Sequence, residues 1–161
     1  MRLHRTLTPI VFTLLLLFWP ALVHADYRAG AKAYTLGDYA TAFKEWRPLA
    51  EQGDATAQYS LGTMYRHGQG VPQDDAQARG WYLKAAEQGY VFAQAALGLI
   101  YQHGQGVLQD YVQAHMWFNL TAAQGYKYAL ELRSIIAKHM TPEQIAEAQR
   151  LAREWLVQHQ K

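Results

Sequence analysis

Twice in this chain a histidine opens a glycine-rich tetrapeptide, as His67-Gly68-Gln69-Gly70 and as His103-Gly104-Gln105-Gly106. A loop of the form H-G-x-G can supply the backbone donors of an oxyanion hole, but that chemistry also needs a serine on a G-x-S-x-G elbow. Beyond residue 25 the serines are Ser60 and Ser134, neither so placed and neither followed by lysine three residues on, so serine acyl transfer finds no nucleophile. Zinc chemistry fares no better. There is no H-E-x-x-H, and His67 and His103 stand one repeat apart, about 10 Å at ordinary helix spacing, far beyond the Zn–N bond of about 2 Å. The glycines precede no Lys-Ser/Thr pair, so they are not a phosphate loop. No cysteine is present to act as nucleophile, ligand or disulfide partner. What remains for catalysis is a set of acids near helix ends, Glu45, Glu51 and Glu87, with no partner assigned by spacing. The expectation is a chain with no catalytic residues, no metal and no cofactor.

The tetrapeptides belong to a longer duplication. Leu61 to Asp74 and Leu97 to Asp110 read L-G-x-x-Y-x-H-G-Q-G-V-x-Q-D, offset by 36 residues. A repeat of that period means stacked supersecondary units. In residues 54–89 and 90–125 the first helix carries Ala57, Leu61, Gly62 and Tyr65, or Ala93, Leu97, Gly98 and Tyr101, on one face. Gly62 and Gly98 imply close packing on the second helix, with Ala78 and Ala114 as expected neighbours. Gly68 and Gly104 end the first helix in a left-handed turn, Gly70 and Gly106 allow a second turn, and Val71 and Val107 return to the core. Asp74 with Gln77, and Asp110 with Gln113, form a capping box for the second helix. That helix alternates aromatics with alanines, as Ala78, Trp81, Tyr82, Ala85 and Ala86 do.

Residues 26–53 read as an N-terminal helical hairpin. Ala29, Ala33 and Leu36 mark its first apolar stripe, Asp38 is an N-cap, and Pro48 predicts a kink near Lys44 to Arg47. Residues 126–161 read as a C-terminal capping pair, with Thr141-Pro142-Glu143-Gln144 starting the last helix. Residues 1–25 have a charged start, an apolar run from Leu7 to Trp19 and Val23-His24-Ala25, the pattern of a secretory signal peptide cut after Ala25. Its removal leaves 13 Lys+Arg against 13 Asp+Glu, so the charge of +2 on the whole chain is no argument for nucleic-acid binding. The expected location is periplasmic or secreted, with no membrane insertion after cleavage.

The units resemble Sel-one-like repeats, relatives of the tetratricopeptide repeat, through A-Q-x-x-L-G-x-x-Y-x-x-G-x-G-V-x-x-D at Ala57 to Asp74 and Ala93 to Asp110. The resemblance implies an all-α, right-handed solenoid of eight helices in four antiparallel pairs. It also implies a scaffold or adaptor for other proteins, in exported bacterial members tied to the cell envelope. The family often has Asn just before L-G, where this chain has Ser60 and Ala96, which argues against a carboxylate clamp. The candidate partner-binding positions, on the concave face, are Ser60, Thr63 and His67 with Ala96, Leu99 and His103. Tyr59, Tyr90 and Tyr126 recur as either interaction surface or inter-repeat packing, with packing favoured for the last two. The expected partner is a protein or peptide bound by a monomer, and the alternative function is a hydrolase acting on peptidoglycan or a β-lactam, or a regulator of peptidoglycan enzymes.

Overall fold

In a computed structural model, residues 26–159 are described, and they form eight helices and no strand; the expected signal peptide lies outside them. The helices are α1 (Tyr27–Thr35), α2 (Tyr39–Glu51), α3 (Ala55–His67), α4 (Asp75–Glu87), α5 (Val91–His103), α6 (Tyr111–Ala123), α7 (Lys127–Ala137) and α8 (Pro142–His159). Each from α1 to α6 packs on the next, as a solenoid requires. Among these residues no helix is long and apolar enough to cross a membrane.

The aspartates are caps. Asp38, Asp54, Asp74 and Asp110 each accept a hydrogen bond from the backbone N–H three residues on, at 2.7 to 3.1 Å. The Thr41 side chain first, and then its backbone N–H, hold the Asp38 carboxyl below its ordinary pKa. At α8 the box is complete, since Thr141 N donates to Gln144 and Gln144 N donates back to the Thr141 hydroxyl. Gly68 and Gly104 close α3 and α5 in the left-handed region. Val71 and Val107 pack against the core from the loops.

The glycines in the first helices meet aromatic rings, not alanines. A Cβ on Gly62 would stand 2.7 Å from the Tyr82 ring, one on Gly30 2.5 Å from Trp46, and one on Gly98 closer still to Phe118. Trp46, Tyr82 and Phe118 occupy the same position 36 residues apart, so residues 26–53 are a third copy of one lock: an aromatic ring from the second helix seated on a bare backbone in the first. This also corrects the stripe on α1. Ala29 is exposed and Leu36 is 75% exposed, while Gly30 and Ala33 face Trp46. α2 remains one continuous helix through Pro48, which lies in its last turns, where only the bond to Lys44 is forfeited.

The fourth pair lacks the lock, because Ser134 and Glu154 stand where glycine and aromatic would, and both are exposed. α7 still packs on α6, burying Ala129, Leu132 and Ile136 against Ala114 and Phe118. α8, however, docks on α6 instead of pairing with α7. Ala152 joins the central core, and Trp155 meets Trp117 edge-to-face at 4.7 Å. α6 is therefore surrounded, which explains its apolar residues on every side.

One titratable residue is trapped there. His115 is 4% exposed, and its Nδ1 has no hydrogen-bond partner. Burial first, and then the charge of Arg133, lower its pKa from 6.5. A histidine whose pKa falls on folding is neutral in both states above 6.5, whereas below it the unfolded chain takes up the proton more readily. Stability is therefore expected to drop as pH falls from 6.5 toward the folded pKa. Melting temperatures at pH 7.5 and 5.5 check this, and His115→Leu should flatten the dependence.

Candidate interaction face

The first helices α3 and α5 carry the positions singled out from sequence, and the structure separates them. Ser60 and Ala96 are each 7% exposed. Ser60 donates to the Thr56 carbonyl at 2.9 Å and lies 3.3 Å from the Tyr27 hydroxyl, and Ala96 sits in the central core. Both are largely covered, because α3 and α5 each pack on two neighbours at once, their own second helix and that of the preceding pair, which narrows their free arc. Thr63 is half-buried, donating to the Tyr59 carbonyl at 3.1 Å with the Tyr82 hydroxyl at 3.2 Å. Leu99 is half-buried against the core shared by α6 and α7. His67 and His103 are exposed, each as the last residue of its helix.

Ser60 and Thr63 do share a cavity of about 240 Å³ with Tyr27, Tyr34, Trp46 and Tyr59. From Tyr59 an aromatic ridge runs across the repeat boundaries. Ring centroids are 5.4 Å apart for Tyr59 and Tyr90, 5.7 Å for Tyr90 and Phe92, and 5.8 Å for Phe92 and Tyr126. These are favourable edge-on or tilted contacts. Tyr90 and Tyr126 are half-buried, packing side by side with what they expose. Burial raises the pKa of Tyr90 above its ordinary value.

The outermost residues of this face are Phe92, 45% exposed, Tyr128, 55%, and Ile135, 48%. Sequence reasoning missed all three. The signal was the same period of 36, since Thr56, Phe92 and Tyr128 share one repeat position, and Thr63, Leu99 and Ile135 another.

The loops that first suggested chemistry are clasps between repeats. Tyr34 donates its hydroxyl to Gln69 Oε1, and Arg66 Nη2 donates to Gln105 Oε1, both at 2.8 Å. Gly70 lies against the backbone of Tyr39, and Gly106 against Asp75. Each loop thus leans on the pair before it. Ser134 donates to the Leu130 carbonyl, Glu51 pairs with Arg47 at 2.8 Å, and among the described residues no three His, Cys, Asp or Glu side chains gather as a metal site.

Comparison with known proteins agrees with this architecture. The Sel1 repeat family matches residues 55–90 and 91–126. The fold is similar to that of a protective antigen present in uropathogenic Escherichia coli strains and displaying an SLR fold. The identity is 35% and the TM-score 0.78, over 83% of this chain and 29% of that one. It is also similar to a Sel1 repeat protein from Oxalobacter formigenes, with 29% identity and a TM-score of 0.67, over 81% of this chain and 56% of that one. The chain thus spans less than a third of the first structure and about half of the second. No curated protein sequence matches it. With two Sel1 repeats, a glycine-aromatic lock in three successive pairs and an SLR fold, the chain belongs to the Sel1-like repeat family.

Proposed function

We propose that this protein is a non-enzymatic interaction scaffold, exported by an N-terminal signal peptide that is then cut after Ala25, and that it docks a partner protein or peptide on the face formed by its first helices. The observation that carries this reading is the ridge of Tyr59, Tyr90, Phe92 and Tyr126, flanked by exposed Tyr128 and Ile135. Rigid aromatics that leave a polar surface are the residue type that dominates binding energy at protein interfaces. The cavity beside Tyr59 offers a pocket for one anchoring side chain.

The test substitutes exposed residues only. Thr63 and Leu99 are unsuitable, since arginine there would break the bond to Tyr82 or open the core. Phe92→Arg with Tyr128→Arg gives up the ring contacts of Phe92 but opens no core, so the fold should be kept with the melting temperature lowered by no more than a few degrees. Affinity capture from envelope extracts should then recover the wild-type partner at least about tenfold less well, as loss of an interface anchor worth about 2 kcal/mol implies. Equal recovery would place the partner elsewhere on the molecule.

A further inference from the structure

The cavity beside Tyr59 has a charged rim. Ala31, Tyr34 and Thr35 of α1 and Tyr59, Ser60 and Thr63 of α3 are among its lining residues, and none of the residues that line it is ionised at neutral pH. Lys32 stands three residues before Thr35, and Arg66 three residues after Thr63, so each shares a helix face with a residue of the cavity. The Thr35 hydroxyl donates to the Lys32 carbonyl at 2.8 Å. The Thr63 hydroxyl is 3.2 Å from that of Tyr82, which feels the Arg66 charge. Arg28 continues the α1 stripe four residues before Lys32, and both are exposed.

None of these three cations is paired with a carboxylate. The ion pairs among the described residues join Arg47 to Glu51 and Arg150 to Glu147 and Glu154, on α2 and α8. α1 and α3 contain no acid at all. Their caps, Asp26 and Asp54, sit at the ends away from Lys32 and Arg66 and accept the backbone N–H groups of Arg28 and Ala57. Arg66 gives one N–H to the neutral Gln105 at 2.8 Å, out of the five that a guanidinium carries. A cation in a last turn also suits the helix dipole, but that role predicts no preference among ligands. Charge complementarity gives the occupant a negative sign. A phosphate polymer would need a continuous run of cations, and α5 carries no lysine or arginine. A lipid surface would need a cluster of about four to eight of them, and a cavity of about 240 Å³ admits one side chain, not a layer of acyl chains. What fits is a carboxylate next to an apolar anchor on one peptide.

We propose that the ligand of this face is an acidic peptide segment: one apolar or aromatic side chain enters the cavity, and side-chain carboxylates beside it pair with Lys32 and Arg66. This rests on the aromatic face being the docking face, and gives that face a charge preference.

Isotope-labelled protein, titrated by NMR with two pools of acetyl- and amide-blocked hexapeptides, tests it. In one pool each peptide carries a single Leu, Phe or Trp among Glu, Asp and Gly, and in the other Gln and Asn replace the acids. The acidic pool should shift the backbone signals of Ala31, Thr35 and Thr63 and bind at least about fivefold more tightly than the neutral pool, as two ion pairs at a protein surface imply. That preference should vanish at about 1 M salt, where the screening length falls to about 3 Å. Lys32→Glu, at an exposed position, should remove the preference and leave binding of the neutral pool as it was. Arg66→Gln is the second variant, with the same expectation. Phe92→Ala with Tyr128→Ala should weaken both pools alike. Equal binding of the two pools by the wild type would overturn the proposal and leave the aromatic face as a docking site, whereas no shift on the first helices from either pool at about 1 mM peptide would overturn both. A preference that survives in Lys32→Glu and Arg66→Gln, or the same shifts from phosphatidylglycerol vesicles or from neutral peptides with a free terminal carboxylate, would also overturn the proposal.

Discussion

Replacing Gly70 with alanine is expected to lower the unfolding free energy by about 3 kcal/mol, the combined cost of left-handed strain and overpacking. Gly70 has φ +73°, and a Cβ there would stand 2.7 Å from the Tyr39 carbonyl oxygen and 2.8 Å from its carbon. Both atoms are backbone and cannot rotate away. Relief would require the loop to lift from α2, breaking the clasp from Tyr34 to Gln69. Gly89→Ala is the control, since φ is +81° and no atom lies within 4 Å of the added Cβ. It keeps the strain without the collision and should cost about 1 kcal/mol. Urea denaturation of both variants measures the difference. Equal losses would mean that the loop does not bear on the preceding pair.

The lock between Gly98 and Phe118 should behave as one unit. Gly98→Ala drives a methyl into a ring that is fully buried, at an expected cost of about 2 to 3 kcal/mol, above the usual gain in helix propensity of about 1 kcal/mol. Phe118→Leu alone leaves a void and should also destabilise, by about 1 to 2 kcal/mol. Combined, the smaller leucine makes room for the methyl, so the double variant should be more stable than the sum of the two losses by at least about 1 kcal/mol. Additive losses would show that the glycine is not there for the ring. The same cycle at Gly62 and Tyr82 carries an extra term, because the Tyr82 hydroxyl bonds to Thr63.

Much of the fold was legible because its local rules are short-range. Asp74 and Asp110 cap helices through atoms three residues away, and Gly68 and Gly104 end helices through their own φ, so spacing alone assigns them. What the glycines in the first helices face depends on the partner helix, and there the expectation of alanine was wrong. Small residues are read as meeting small residues, yet a bare backbone is also the flattest seat for a ring. The docking of α8 on α6 was hidden for a similar reason. The stripe of Ala148, Ala152 and Trp155 shows that α8 has an apolar face, but not which helix covers it. The clue was negative, the loss of glycine and aromatic at Ser134 and Glu154.

The candidate site was legible only in outline. Positions facing away from Leu61 were sought, but Ser60 and Ala96 are covered by the preceding pair, which a single helix pattern does not reveal. Phe92 and Tyr128 lie beyond the duplicated stretch, at repeat positions where the first copy has Thr56, so no motif pointed to them. Gln58 and Gln94 stand in the motif A-Q-x-x-L-G, whose spacing does not show that their amides bond to Gln88 and Gln124 some 30 residues on.

The central claim is that the repeated loops build the scaffold while the aromatic face of the first helices binds the partner. Its most direct test is quantitative affinity capture from envelope extracts with three proteins: wild type, Phe92→Arg with Tyr128→Arg, and His67→Ala with His103→Ala. The account predicts that the histidine variant recovers the same partners as the wild type and the arginine variant loses them. Loss of the partners in the histidine variant, with full recovery by the arginine variant, would contradict it.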